Sequence, residues 1–246
     1  MSHHLVSFND VTYRYPGGPE ALQGVSVTIH HGEAVALVGS NGAGKSTLLQ
    51  HLVGTLLPTS GQVRVGDVPV VPSTLPTVRR TVGLVFQDPD DQLFMPTVGE
   101  DVAFGPARMD LPPEEVEARV VDALQRVGIA HLRARAPFRM SFGEKRLAAL
   151  AAVLAMSPAI LALDEPSANL DPLARRRLIG LLKSFDHTRI LATHDLDMAL
   201  DVCSRVVVLG GGRVLADGPA DQILRDEELL TRASLERPLR LQGSAQ

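Results

Sequence analysis

The sequence has one cysteine, no excess of basic residues and no long apolar run, and each shortage excludes a class of protein. With Cys203 alone, the chain can form neither an intramolecular disulfide nor a cluster of cysteine metal ligands. Its 24 basic residues are outnumbered by 28 acidic ones, which gives a net charge of −4. A protein that mainly coats nucleic acid needs a basic surface for the phosphates, so we expect no nucleic-acid partner.

Membrane-spanning and secretory patterns are also missing. The most apolar stretch, 147–163, is interrupted by Ser157 and Pro158 and is too short to cross a bilayer. The first ten residues, MSHHLVSFND, lack the basic and apolar regions of a secretory signal. The composition, 45% hydrophobic and 21% charged, is typical of a globular protein. We therefore expect a cytoplasmic protein, or one that partners hold at a membrane.

Two kinds of strand pattern predict the fold class. VSFNDVTYRY and GVSVTIHHGE alternate apolar and polar residues around a turn, as antiparallel strands do. The compact apolar runs in EAVALVG, TVGLVFQDP and AILALDEP are typical of buried parallel strands separated by helices. We expect an α/β fold, with a mostly parallel sheet, an N-terminal antiparallel portion and an inserted helical subdomain at about 90–156. Residues 1–230 would form one domain, with its core at about 1–89 and 157–230, and 231–246 a short tail.

The glycine-rich segment GSNGAGKST lies between a predicted strand and a predicted helix. It fits the pattern G-x-x-x-x-G-K-[ST], and this strand–loop–helix context is the one that the pattern requires. Backbone N–H groups of such a loop surround phosphate oxygens, and the helix N-terminus favours negative charge. Lys45 would neutralise the β- and γ-phosphates, and Ser46 would offer its hydroxyl to Mg²⁺. A glycine turn that caps an ordinary helix is the alternative. The candidate nucleotide-binding residues are Gly39, Ser40, Asn41, Gly42, Ala43, Gly44, Lys45, Ser46 and Thr47.

Two acidic residues in ILALDEP supply the second part of a nucleotide site. Asp164 ends an apolar run, where a carboxylate is costly to bury without a nearby cation, so we assign it to the Mg²⁺ shell. Glu165 follows at the sheet edge where ligands bind in parallel α/β folds, and it could orient or deprotonate an attacking water. An acidic turn before Pro166 is the alternative. With the glycine-rich loop, this pair predicts a P-loop NTPase core that binds the phosphates of a nucleotide together with Mg²⁺.

Over about residues 6–224, the order of the motifs resembles the nucleotide-binding subunit of an ATP-binding-cassette (ABC) transporter. The segments that carry the resemblance are the glycine-rich loop, the turn at Gln87, MSFGE, LDEP, SANLD and THD. The resemblance implies that Gln87 reaches Mg²⁺ and the attacking water, that His194 contacts the γ-phosphate, and that the chain hydrolyses ATP. It also implies that Tyr15 stacks on adenine. Tyr13 is the other candidate, and packing of a strand tyrosine on the core is an alternative for both.

The segment MSFGE departs from the LSGGQ that is usual in this family. Ser141 and Gly143 match the usual form, whereas Met140, Phe142 and Glu144 differ from it. Ser141 and Glu144 also fit an S-x-x-E capping box for the apolar helix that follows, and a capped helix start can still bind an anion. The resemblance implies that Ser141 and Gly143 contact the γ-phosphate held by a second ATPase subunit, in a homo- or heterodimer. We interpret MSFGE as a working but altered half-site.

The segment after Gln87 resembles one branch of the family, the ATPases of energy-coupling-factor importers, which supply cobalt, nickel and vitamins. It reads DPDDQLF and is followed by TVGEDVAFGP. This resemblance implies a peripheral protein at the cytoplasmic face of the membrane, with a transmembrane coupling subunit and a solute-binding membrane subunit as partners. Gln92 would lie in the segment that shapes the groove for the coupling subunit, although DPDD also fits a solvated acidic turn. The alternatives are a conventional ABC importer or exporter subunit, a soluble non-transport ABC ATPase, and a subunit that binds ATP without hydrolysing it.

Overall fold

The computed structural model of the protein describes residues 5–242, in which two β-sheets and a set of helices pack together. Its strands are β1 (Val6–Arg14), β2 (Glu20–Ile29), β3 (Ala34–Val38), β4 (Ser60–Val65), β5 (Val68–Pro69), β6 (Val82–Val85), β7 (Ile160–Asp164), β8 (Thr188–Ala192), β9 (Arg205–Gly210) and β10 (Arg213–Pro219). Its α-helices are α1 (Lys45–Leu52), α2 (Leu75–Thr81), α3 (Val98–Phe104), α4 (Pro113–Val127), α5 (Phe142–Leu154), α6 (Pro172–Lys183), α7 (Leu196–Val202), α8 (Ala220–Ile223), α9 (Glu227–Arg232) and α10 (Leu239–Gln242).

The fold class predicted from the sequence is confirmed. The larger sheet has the strand order β10–β9–β3–β8–β7–β6, and all of its pairings are parallel except that of β10 with β9. The smaller sheet has the order β2–β1–β4–β5 and is antiparallel throughout. The alternating patterns at the start of the chain thus form a separate antiparallel sheet beside the parallel core.

The parallel sheet is buried on both faces, which explains why its strands read as continuous apolar runs. In β7, Ile160 and Ala162 pack in a cluster with the antiparallel sheet and α1. Leu161 and Leu163 point to the other face, where they pack in a cluster with α3 to α7. Since successive side chains of a strand point to opposite faces, the residues of such a strand are as a rule apolar until the strand ends. Asp164, the last residue of β7, breaks this rule, and it does so at the edge of the sheet where the site lies.

Between β6 and β7 the described chain is helical. Helices α3, α4 and α5 lie there with short 3₁₀ turns at Pro89–Asp91, Pro106–Arg108, Ala130–Leu132 and Pro137–Arg139. The segment PPEEVEARVVDALQRVGI contains α4, which is followed by Gly128, whose φ of 79° is the left-handed conformation that glycine favours at a helix end. This helical segment matches the position of the predicted subdomain, and the boundaries at about 90 and 156 remain our proposal.

The end of the described chain packs back onto the core. Arg240 of α10 forms ion pairs with Asp197 and Asp201 on α7, and the N–H of Leu239 donates a 2.9 Å hydrogen bond to Asp197. Part of the predicted tail is therefore attached to the core, while its last four residues, and the first four of the chain, lie outside the described residues. No helix between residues 5 and 242 is long and apolar enough to span a membrane.

Candidate functional site

The glycine-rich loop connects β3 to α1, the arrangement that the sequence predicts. Its conformation requires glycine at residue 44, where φ is 105° and a Cβ atom would lie 2.8 Å from the carbonyl oxygen of Ala21. The loop leads directly into the first turn of α1, which begins at Lys45. Its backbone and the helix N-terminus thus meet at one point, where an anion would be stabilised by N–H groups and by the helix dipole.

Lys45 folds back over this loop. Its Nζ atom donates hydrogen bonds to the carbonyl oxygens of Gly39, at 2.7 Å, and Ser40, at 3.2 Å, and lies 3.9 Å from Oε1 of Glu165. Burial lowers the pKa of Lys45, while the carboxylates of Glu165 and Asp164 raise it. The ammonium group is thus largely removed from water beside the loop, and a phosphate placed in the loop would be within its reach.

Asp164 lies close to Ser46, the residue that follows Lys45. Burial raises the pKa of Asp164, and a hydrogen bond from Ser46 lowers it. One carboxylate oxygen, Oδ1, has no hydrogen-bond partner within the described chain. A buried carboxylate oxygen without a donor is costly, and a cation is the natural partner for it. These residues line a cavity of about 360 Å³ together with Gln87.

The donor set around this cavity fits magnesium. Mg²⁺ is commonly held by one or two protein oxygens, substrate phosphates and water, and the Ser46 hydroxyl and the Asp164 carboxylate are ligands of this kind. Residues 5–242 contain no group of three or more His, Cys, Asp or Glu side chains that could hold a metal by themselves. A metal at this site would therefore take its remaining ligands from a bound phosphate group and from water.

Glu165 lies next to Lys45 and is held by groups at the end of β8. Its Oε2 atom lies 2.8 Å from Nδ1 of His194 and accepts hydrogen bonds from the backbone N–H of His194, at 3.2 Å, and from Thr193 Oγ1, at 3.3 Å. Glu165 is 6% exposed, whereas the side chain of His194 is 64% exposed. A carboxylate that is held in place in this way can accept a proton from a nearby water molecule. Sequence reasoning did not single out Thr193, whose role depends on a contact across 28 residues.

Tyr15, rather than Tyr13, lies at the mouth of the loop. Its hydroxyl group forms a 3.1 Å hydrogen bond with Thr47 Oγ1, the residue is 40% exposed, and it lines a cavity of about 380 Å³ together with Lys45. Tyr13 is half-buried, with its ring centroid 4.8 Å from that of the buried His51. The geometry thus favours Tyr15 as the ring that would stack on the base of a nucleotide whose phosphates lie in the loop. It favours packing on the core for Tyr13.

Gln87 and Gln92 lie in the connection that leaves β6. Gln87 is exposed and lines both cavities around the loop. Gln92 does not face these cavities, since its side chain accepts a 3.3 Å hydrogen bond from the N–H of Phe86 and donates one of 3.0 Å to the carbonyl of Ala149 on α5. The side chain of Gln92 therefore links the residue that follows β6 to helix α5.

The capping box predicted in MSFGE is confirmed. Ser141 Oγ accepts a 3.3 Å hydrogen bond from the N–H of Glu144, and Glu144 Oε2 accepts one of 2.7 Å from the N–H of Ser141. Neither Ser141 nor Gly143 lines the two cavities that surround the glycine-rich loop in the described chain, whereas Phe142 lines the cavity of Asp164. The other predicted site residues lie in the glycine-rich loop, line one of these cavities or, in the case of His194, contact Glu165.

The sequence matches the model of the family described as ABC transporter over residues 22–168, which is more than half of the chain. The protein belongs to the ABC transporter family. Within that family it is the ATP-binding subunit, an ATPase.

Curated relatives extend this likeness along almost the whole chain. A protein of Geobacter sulfurreducens with the provisional name ABC transporter ATP-binding protein is 62% identical over 243 residues, covering 99% of this chain and 98% of its own. The energy-coupling factor transporter ATP-binding protein EcfA of Methanothermobacter thermautotrophicus is 44% identical over 239 residues, covering 95% of this chain and 77% of its own.

Solved structures confirm the fold. The structure of cbiO1 from Clostridium perfringens, described as part of the ABC transporter complex cbiONQ, matches with a TM-score of 0.80 at 38% identity and covers 95% of each chain. A dimeric ATP-binding cassette bound to ADP and Pi in a post-hydrolysis state matches with a TM-score of 0.81 at 26% identity, covering 87% of this chain and 98% of its own.

Proposed function

We propose that this chain is the ATPase subunit of an energy-coupling-factor importer, and that its solute is cobalt or nickel ion or a vitamin. The main support for ATP hydrolysis by these residues is a network of contacts beside the glycine-rich loop. In it, Glu165 contacts both Lys45 and His194. The identity of 44% with an energy-coupling factor ATPase, over 95% of the chain, supports this branch of the family. The likeness to cbiO1 supports it as well.

The site residues divide into those that bind ATP and those that act on water. Residues 39–47 bind the phosphates, with Lys45 on the β- and γ-phosphates, and Tyr15 stacks on the adenine. Ser46, Gln87 and Asp164 hold Mg²⁺, which when bound neutralises charge on the phosphates. This assignment is supported by the unpaired Oδ1 atom of Asp164 in the cavity that it shares with the other two residues.

Glu165 and His194 serve as the catalytic residues in this proposal. The carboxylate of Glu165 accepts a proton from the attacking water, while hydrogen bonds from Thr193 and from the backbone of His194 keep it in place. The imidazole of His194 is 64% exposed and would contact the γ-phosphate. The alternative of a subunit that binds ATP without hydrolysing it is disfavoured, because the carboxylate and its partners are all present.

A second copy of the chain completes the site. Ser141 and Gly143 lie at the capped N-terminal turn of α5, outside the two cavities that surround the glycine-rich loop, and a γ-phosphate bound to the facing subunit would supply a further anion for this turn. The dimeric cassette bound to ADP and Pi supports such an arrangement. ATP makes contacts with both subunits in the closed dimer, so it favours closure, and hydrolysis removes those contacts.

Closure of the ATPase dimer would be transmitted to the membrane partners through the connection after β6. A groove of about 540 Å³ lies beside this connection, and its lining includes Phe86, Gln92, Phe94 and Phe104. Phe94 is largely exposed in it, and an exposed apolar groove suits a helix from a transmembrane coupling subunit. The chain would then lie at the cytoplasmic face of the membrane, with a separate membrane subunit that binds the solute and no nucleic-acid partner.

Uptake by whole cells tests this proposal. In cells that lack the gene, we expect the loss of uptake of labelled Co²⁺, Ni²⁺ or one vitamin, and restoration by the wild-type chain. Glu165→Gln should fail to restore it, whereas the control Glu228→Gln, at an exposed glutamate of α9, should restore it fully. Normal uptake of every metal and vitamin in the deleted cells would contradict the importer branch and favour a conventional ABC or a non-transport ATPase.

A further inference from the structure

Arg146, in the second turn of α5, reaches from the helical segment to both loops of the nucleotide site. Its Nη2 atom donates a 2.6 Å hydrogen bond to the backbone carbonyl of Gln87, and its Nη1 atom donates one to the backbone carbonyl of Glu165. These two carbonyl groups are 59 and 19 residues away from it in the chain. One side chain of α5 therefore joins the loop after β6 to the loop after β7.

Burial of the Arg146 guanidinium costs free energy, because the charge loses its contact with water. The residue is 3% exposed, and its Nε atom has no hydrogen-bond partner within the described chain. Burial lowers the pKa of Arg146, while the carboxylates of Glu165, Asp164 and Asp88 raise it. A buried charge with an unpaired donor contributes little to the stability of the fold. We therefore expect a functional reason for the position of Arg146.

That reason is found in the backbone of Glu165. Its φ is 47°, a left-handed conformation that residues other than glycine rarely adopt and that occurs often at functional sites. The N–H of Glu165 donates a 2.8 Å hydrogen bond to the carbonyl of Ala192, and its carbonyl accepts the hydrogen bond from Arg146. Both backbone groups of this unusual residue are thus hydrogen-bonded, which fixes the position from which its side chain reaches His194.

The same helix carries the signature turn. The ring of Phe142, which replaces the glycine usual in LSGGQ, has its centroid 5.2 Å from the guanidinium carbon of Arg146. An aromatic ring at this distance attracts a cation and shields it from water. Phe142 therefore packs against the guanidinium within the same helix, so a shift of the first turn of α5 would disturb Arg146 and its two hydrogen bonds.

We propose that Arg146 is a positioning residue for ATP hydrolysis, because it holds the backbones of Glu165 and Gln87 in the geometry that hydrolysis requires. A γ-phosphate of the facing subunit that docks at Ser141 and Gly143 fixes the start of α5, and Arg146 transmits that position to the chain's own water-activating group. The two ATP sites of a dimer are thereby coupled through one side chain. The inference rests on the proposed role of Glu165 as general base.

Steady-state ATP hydrolysis by the purified full chain tests the proposal, with Arg146→Met and Arg146→Lys as variants. Arg146→Met should lower kcat by about tenfold to a hundredfold, the range expected when a catalytic group is misplaced by about 1 Å, and should leave KM for ATP unchanged. Arg146→Lys retains the charge and can reach one carbonyl, so we expect an intermediate kcat. Arg126→Met, at an exposed arginine of α4, is the matched control and should behave as wild type.

A double-mutant cycle separates positioning from a general loss of structure. If Arg146 acts through Glu165, Arg146→Met should not lower the residual kcat of Glu165→Gln any further. An equal fold-loss in both backgrounds would overturn the proposal, and so would a loss of ATP binding in parallel with kcat. If Glu165→Gln abolishes hydrolysis and Arg146→Met does not lower kcat, only this inference fails. If Glu165→Gln keeps the wild-type kcat, the proposed general base is wrong and the inference fails with it.

Discussion

Nδ1 of His194 lies 2.8 Å from Oε2 of Glu165, and this contact joins the ends of two neighbouring parallel strands, β7 and β8. The carboxylate is buried and the imidazole is largely exposed. A single pair of side chains thus connects the interior of the site to the surface that a second subunit would cover.

Replacement of His194 by alanine should therefore impair the chemical step more than the binding of ATP. We expect kcat to fall by about a hundredfold or more, since the carboxylate loses a partner and the γ-phosphate loses a contact. Phosphate release measures kcat, and calorimetry measures ATP binding. The exposed His187, replaced by alanine, is the control. Wild-type turnover in His194→Ala would contradict the assigned role.

Lys45→Met should weaken nucleotide binding. Loss of a charge-assisted contact to the phosphates corresponds to about a tenfold to hundredfold loss of affinity. Binding of ADP and ATP by titration calorimetry provides the measurement, with Lys183→Met at an exposed lysine of α6 as control. If Lys45→Met bound both nucleotides as the wild type does, the glycine-rich loop would not be the phosphate site.

Tyr15 and Tyr13 can be distinguished by substitution. Because stacking of a base on an aromatic ring contributes roughly 1–3 kcal/mol, Tyr15→Ala should weaken ATP binding by about tenfold. Tyr15→Phe keeps the ring and loses only the hydrogen bond to Thr47, so it should bind ATP almost as tightly as the wild type. Tyr13→Phe serves as the control in the core. Unchanged ATP affinity in Tyr15→Ala would show that adenine binds elsewhere.

His51 should make the protein less stable at mildly acidic pH. Its side chain is fully buried, Nδ1 lies 2.7 Å from the carbonyl of Thr47, and Nε2 has no partner within the described chain. Burial lowers the pKa of His51 below its ordinary value of 6.5. As the pH falls through 6.5, the unfolded chain binds a proton that the folded chain does not, so the free energy of unfolding decreases.

The melting temperature between pH 7.5 and about pH 5 measures this effect. In His51→Gln the decrease toward acidic pH should be smaller than in the wild type, whatever the absolute stability of the variant. His187→Gln, at an exposed histidine, should retain the wild-type slope. Parallel curves for His51→Gln and the wild type would show that His51 does not contribute to the acid sensitivity.

The parts of the site that sequence reasoning predicted are those encoded within a few residues. The glycine-rich loop is one such segment, and the capping box of Ser141 and Glu144 is another. The antiparallel and parallel strands were also predictable, because alternating and continuous apolar patterns report burial on one face or on both.

What the sequence did not predict depends on distant pairs of groups. The contact of Thr193 with Glu165 spans 28 residues, and the two hydrogen bonds of Arg146 end on backbone carbonyls. Every residue has a backbone carbonyl, so residue type gives no signal for such a contact. Phe142 was interpreted only as a departure from LSGGQ, and its contact with Arg146 became visible once the helix was folded.

The most direct test of the account is the mass of purified Glu165→Gln in solution, measured by light scattering with and without Mg-ATP. We predict conversion from one chain to two when Mg-ATP is added, because blocked hydrolysis should retain a dimer that is clamped by ATP. The double variant Glu165→Gln/Ser141→Arg, which places a bulky side chain at the signature turn, should bind ATP and stay a single chain. If Glu165→Gln bound ATP and kept the mass of one chain, MSFGE would not recognise nucleotide on a second copy, and the homodimeric site would be contradicted.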